Sequence, residues 1–203
     1  MADHFGIPQL VDYLSQMELK LAHVDHEQEM IELAFHGHQG QWRLIVGIQQ
    51  KGDVRKLMLI APHIGTVTAK KRLECLEALM AVNYRIAMGK FGLDLDDGEV
   101  RLEEALPLAN DAITFGQFQL VFSALMQTIA MYHSLIPRIV YGNLSVRDAL
   151  EACEQEFAAD LESMDTLSQT TMSSTPAVVE SHDELDVQDI LAEVARIFEE
   201  PKE

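Results

Sequence analysis

Between residues 30 and 61, large apolar side chains recur at every second position in three successive runs, MIELAF, QWRLIVGI and VRKLMLIA. A two-residue period marks strands buried on one face, because neighbouring side chains point to opposite sides of a sheet. The first run sends Ile31, Leu33 and Phe35 one way, the second sends Trp42, Leu44, Val46 and Ile48 one way, and the third is expected to end before Pro62. HGHQG and QKGD between them supply the glycines and polar residues of tight connections, so the three should pair as an antiparallel meander. Ile45, Leu57 and Leu59 are read as lying opposite the best apolar row, which predicts a second sheet face that is itself partly apolar.

Elsewhere the apolar spacing lengthens to three and four, the period of a helix. Ile7, Leu10, Val11, Leu14 and Met17 predict a short amphipathic helix with Pro8 in its first turn. A long central helix is expected from Thr68 to Met88, with Leu76, Leu79, Met80, Asn83, Ile86 and Ala87 along a buried stripe. An unpartnered amide on such a stripe costs about 1 to 3 kcal/mol, so Asn83 should bond to backbone near the entrance of the hairpin that follows. Gly89 stands where a left-handed helix stop is wanted. Phe91, Leu93 and Leu95 then alternate, Asp97-Gly98 marks a turn, Val100 and Leu102 return, and Pro107 ends the strand.

Thr114 and Gln117 form a capping-box pattern opening a helix with Phe118, Val121, Phe122, Leu125, Met126, Ile129 and Tyr132 on its apolar face, which Pro137 should kink or stop. After a break at Gly142 and Asn143, Ser145 and Asp148 start a further helix bearing Ala149, Cys153, Phe157 and Leu161. The expected organisation is thus an α+β domain over residues 1–142, an added helix over 143–164, a flexible Ser/Thr-rich linker over 165–184, and an amphipathic tail helix over 185–200. In the tail, Val187, Ile190, Leu191, Val194 and Phe198 fall on one side. A helix of about 15 residues is marginal alone in water and needs a surface to dock on.

Charge separates these parts further. Residues 1–150 carry 13 basic and 18 acidic side chains, a balance of −5, whereas residues 151–203 carry 2 and 15, a balance of −13. A total of −18 disfavours nucleic acid and anionic membrane as partners, since both need a positive footprint. The N-terminus shows no basic region followed by an apolar run, and no uninterrupted apolar stretch approaching a span of about 20 residues is read from the chain, so a cytoplasmic protein is expected. Cys75 and Cys153 fall inside helical patterns and read as reduced, buried thiols.

The order helix, three strands, long helix, strand pair, long helix describes helices against an antiparallel sheet. With the segments LEALMAVNYRIAMGKFGLDLDDGEVRLEEALPL and TFGQFQLVFSALMQTIAMYHSLIP, the chain resembles the YbjN family, also called bacterial sensory transduction regulators. The resemblance covers roughly residues 7 to 142 and is most specific over 73 to 137, with Asn83, Gly89, Gly92 and Pro107 inside it. It implies a type III secretion chaperone-like fold, a bacterial cytosolic domain without known catalysis, frequent dimerisation, and relatives of the fold that bind extended segments of other proteins. It implies no catalytic or ligand residue.

Candidate chemistry is sparse. His23, His26, His36 and His38 suggest a metal site built from imidazoles, but none has an acidic or cysteine partner at a recognised ligand spacing. DLDDGE has its glycine one position too early for a calcium loop and lacks the twelfth-position ligand, while a hairpin turn with Gly98 accounts for every residue. Glu103 and Glu104 are adjacent on a strand and point to opposite faces. The leading expectation is therefore a non-enzymatic protein-binding module, chaperone-like or a regulatory adaptor, forming a homodimer and using no cofactor. Its partner is a protein, bound through sheet and helix surfaces that include Ile45, Leu57, Leu59 and the apolar side of the tail. The tail is expected to shield that surface until a partner displaces it. The competing expectation is a small-molecule- or metal-binding sensor or enzyme using the His23 to His38 region.

Overall fold

The computed structural model describes residues 4–37, 40–108, 112–171 and the pair 185–186. The alternating runs form the predicted meander: β2 (Met30–Gly37), β3 (Gly40–Lys51) and β4 (Val54–Thr66) pair antiparallel in sequence order, with β1 (His23–Asp25) added outside β2. The later hairpin, β5 (Lys90–Leu93) and β6 (Glu99–Pro107), joins through β6, giving the order β1-β2-β3-β4-β6-β5. A two-residue strand, β7 (Leu185–Asp186), lies parallel to β2.

Helices α1 (Ile7–Gln16), α2 (Arg72–Arg85), α3 (Phe115–Tyr132), α4 (Leu135–Val140) and α5 (Val146–Thr171) complete an α+β domain. The inner face of the sheet carries Ile31, Leu33, Phe35, Trp42, Leu44, Val46, Leu57, Leu59, Val100 and Leu102, all buried in one core with the helices. Every buried large side chain of the described strands lies on this face. α3 forms the centre of the helical layer: Phe118, Val121, Phe122, Leu125, Met126, Ile129 and Tyr132 are all buried, as their spacing predicts. Its capping box is present, with Gln117 N–H donating to Thr114 Oγ1 and Thr114 N–H to Gln117 Oε1.

The expected third strand does not stop at Pro62. It continues to Thr66, because the pairing with β6 shifts between Ala61 and Gly65 and so places Pro62 in a bulge, where its missing N–H breaks no ladder bond. His63 in that bulge sits at φ 54° and its N–H donates to Glu99 Oε1.

The central helix is shorter than its pattern suggests. A 3-10 turn, Ala69–Lys71, precedes α2, and the chain is extended again at Ile86. Its buried face is Cys75, Ala78, Leu79 and Val82, while Met80 is 65% exposed and Ala87 is exposed. The stripe is thus rotated from the predicted one, and the helix ends before Ile86 and Ala87 can extend it. Gly89 is left-handed at φ 74°, but it lies past the helix end and leads into β5, its N–H donating to Glu104 Oε2 at 2.6 Å. Leu95, expected on the strand, is 58% exposed in the Asp94–Gly98 loop. There Gly98 is obligatory: it has φ 81°, and a Cβ would lie 2.2 Å from the Val67 carbonyl oxygen.

α3 stops before Pro137, which lies in the first turn of α4 where its ring is tolerated. By length and composition alone Phe115–Val140 could cross a membrane, but its most apolar 18-residue window is 61% buried inside the domain, as in a core helix. Ser145 Oγ accepts from Asp148 N–H at the start of α5, whose main chain stays helical to Thr171, seven residues into the stretch expected as a linker. Leu185 and Asp186 are strand where a helix was expected, while the rest of the expected linker, 172–184, and of the tail helix, within 187–203, lies outside the described residues. Cys75 and Cys153 are buried free thiols, and desolvation is the first cause raising the pKa of each above its ordinary 9.0.

Asn83 makes the bonds its position demands. Its Nδ2 donates to the Phe91 carbonyl at 3.0 Å and its Oδ1 accepts from the Phe91 N–H at 2.8 Å. β5 is the edge of the sheet, so this amide takes the place of a missing neighbouring strand and ties α2 to the hairpin. Asn83→Ala leaves both Phe91 groups without their partner and is expected to lower the unfolding free energy by about 2 kcal/mol in urea titration. A change below about 0.5 kcal/mol would contradict this role.

Candidate functional site

The register of the sheet defines a surface on the side away from the helices. Across one row stand Met30, Gly47, Met58 and Ala105, and across the next stand Glu32, Ile45, Ile60 and Glu103. Met30, Ile45, Met58 and Ile60 are thus neighbours at the centre of the outer face, and each is half-buried. Gly47 keeps this patch flat, since a Cβ there would meet the Glu29 carbonyl at 3.0 Å and Met30 Cβ at 3.1 Å. Charged pairs rim it: Arg43 bonds Glu32 at 2.9 Å, and Arg101 meets Glu103 at 3.2 Å. An apolar centre inside a polar rim is the make-up of a protein-binding surface.

Two of the three sheet residues proposed for this surface are not on it. Leu59 pairs with Val46 and Leu57 with Ile48, so both join the inner row and are fully buried. Only Ile45 is on the outer face. The sequence reading missed Met30, Met58 and Ile60; the signal was present in VRKLMLIA, where both alternating rows are apolar and only the register with β3 decides which faces the helices. Val187, Ile190, Leu191, Val194 and Phe198 lie outside the described residues.

A second concave surface lies on the helical side. A groove of about 450 Å³ runs between the end of α2 and α3, lined mainly by Ile86, Met88, Leu120, Thr128, Met131 and Tyr132. Elsewhere on α2, Tyr84 is 93% exposed and Met80 65%. Of the residues lining the groove, Arg85 pairs with Glu154 of α5, which also accepts from the Tyr132 hydroxyl at 3.2 Å. Burial is the first cause raising the Tyr132 pKa above its ordinary 10.0, followed by the Glu154 charge, so this hydroxyl stays protonated and serves as a donor.

The histidines do not converge. His23 stands opposite Glu32, and His36 is four residues further along β2, about 13 Å at strand spacing. His26 is in the turn beyond β1, away from His36, and His38 is outside the described residues. Among the described residues no group of three or more His, Cys, Asp or Glu side chains is placed to hold a metal ion. A different pair, His63 and His133, lines a pocket of about 320 Å³ with Trp42, whose ring stacks on His133 at 6.1 Å. Both are already engaged, His133 Nδ1 with the Ala130 carbonyl at 3.0 Å and His63 Nδ1 with Glu99 at 3.4 Å. Glu103 and Glu104 face opposite sides, the first toward Arg101 and the second toward Gly89 N–H.

The model of the YbjN family, described as "Putative bacterial sensory transduction regulator", matches residues 9–136, and the chain belongs to that family. The crystal structure of YbjN from E. coli is similar over 64% of this chain and 93% of its own, at 15% sequence identity and a TM-score of 0.45. Among curated proteins none matches the chain. The family's description is that of a regulator and names no enzymatic activity.

The assignment of faces is testable by stability alone. Leu59→Ala is expected to cost about 2 to 5 kcal/mol as a core truncation, whereas Ile60→Thr, one residue away on the open face, should cost about 1 kcal/mol or less. Equal losses in chemical denaturation would contradict the register.

Proposed function

We propose that this protein is a non-enzymatic regulatory adaptor that binds a partner protein, chaperone-like in its use of an open sheet surface, and that it works as a cytoplasmic homodimer without a cofactor. The observation that carries the reading is the apolar centre formed by Met30, Ile45, Met58 and Ile60 on the face that the helices leave uncovered. Four apolar side chains side by side inside a rim of Glu32, Arg43, Arg101 and Glu103 suit a second protein surface better than water. Membership of a regulator family agrees with this, as does the net charge of −18, which disfavours nucleic acid and anionic membrane. The groove beside α2 and α3 is a second helix-lined surface for the same purpose, of a size and apolarity that fits the side chains of an amphipathic helix.

The double substitution Ile45→Glu/Ile60→Glu places two carboxylates in the apolar centre while leaving the core untouched. Mass in solution is expected to fall from dimer to monomer, or crosslinked partner recovered from bacterial lysate to fall at least about tenfold, with the thermal midpoint changed by only a few degrees. A wild-type monomer that recovers no protein, or a variant that retains both mass and partner, would count against the reading.

A further inference from the structure

β2 is eight residues long, but β1 covers only its first three positions, Met30 to Glu32. The cause is local. The chain leaves α1 through Glu18, at φ 58°, and His23, the first residue of β1, already stands opposite Glu32. The Ala22 N–H donates to the Glu32 carbonyl at 2.9 Å, so the main-chain groups of Glu32 point toward β1. In an antiparallel pair that direction returns every second residue. The main-chain groups of Ala34 and His36 therefore point to the same edge, beyond the end of β1.

The segment lying along that part of the edge comes from the far end of the chain. Leu185 stands opposite Phe35 and Asp186 opposite His36, in parallel register. Leu185 is fourteen residues beyond Thr171, the end of α5, and an extended chain of that length reaches about 45 to 50 Å. The connection is long enough for the tail of one molecule to pair with its own β2. A strand edge left open is a template for any extended segment, and proteins that keep one cover it.

We propose that the outer half of β2, Leu33–Gly37, is a strand-addition edge, and that Leu185–Asp186 of the same chain is its resident occupant, an internal cap that an extended segment of the partner displaces. The role of the partner rests on the protein-binding reading above; the cap itself does not. Pairing at two register positions gives few main-chain bonds, and membership of the same chain supplies an effective concentration on the order of millimolar. The cap is therefore populated yet releasable. It also differs from the tail action expected from the sequence, which relied on an amphipathic helix covering an apolar surface rather than on main-chain pairing at an edge.

The test uses the full chain and its variant Leu185→Pro/Asp186→Pro, whose prolines remove two N–H groups and cannot sustain strand pairing. Amide hydrogen exchange is followed by NMR at His36, whose N–H faces the cap, and at Leu33 and Phe35, whose N–H groups face β3. Exchange at His36 is expected to accelerate at least about tenfold in the variant, while Leu33 and Phe35 change less than about twofold and report that the sheet is intact. Unchanged exchange at His36 overturns the proposal. So does protection in the wild type that rises with protein concentration together with a dimer mass, since the occupant is then a second copy. Partner capture plays no part in these rates, so failure of the cap and failure of the binding reading are told apart.

Discussion

The structure depends on one constraint: the strands at the centre of the sheet are apolar on both faces, and the helices can cover only one. Leu57, Leu59 and Ala61 of β4 are buried against the helical layer, while Met58 and Ile60, alternating with them, stand on the other side. The β3–β4 register makes the choice, because Val46 and Ile48 draw Leu59 and Leu57 to their own face. Once the inner rows are sealed by α3 and its neighbours, the outer rows are left with an apolar centre that the described fold does not use. Burying apolar surface is favourable by about 25 cal/mol per Å², and it is this term that the proposed binding would draw on.

The remaining elements serve to hold that sheet in shape without crossing to its open side. Asn83 completes the edge at β5 with both of its amide atoms, and Gly98 lets the hairpin loop close against Val67. Pro62 and His63 bulge β4 so that its end follows β6 around the helices, and Gly65 lets α4 approach with Ile136 at 3.1 Å from where a Cβ would be. At the opposite edge, β1 is too short to cover β2, and Leu185 and Asp186 lie there instead. Open face and half-covered edge are adjacent, so a partner's extended segment could add to the edge while its side chains reach the face.

Much of this was legible in the sequence where one period dominates. The buried rows of β2 and β3, the apolar face and capping box of α3, the start of α5 and the backbone bonds of Asn83 follow from spacing and residue type, and the family was visible in the wording of residues 73 to 137. The failures fall where two physical preferences compete. In VRKLMLIA both rows are apolar, and a local pattern cannot give the phase that the neighbouring strand imposes. In LECLEALMAVNYRIAMG a helical period continues through Ile86 and Ala87 although the helix ends at Arg85, because Asn83 pulls the following chain into an edge strand. The groove beside α2 is a product of tertiary assembly and has no local signature.

Accessibility of individual methyl groups tests the central claim most directly. With the methionine methyls labelled, the soluble paramagnetic agent that broadens Met30 and Met58 in dilute monomer should leave them protected once the dimer or partner complex forms, whether or not Met88 and Met131 in the helical groove are protected as well. Protection of the groove methionines with Met30 and Met58 still broadened would show that the open sheet face is not where this protein meets its partner.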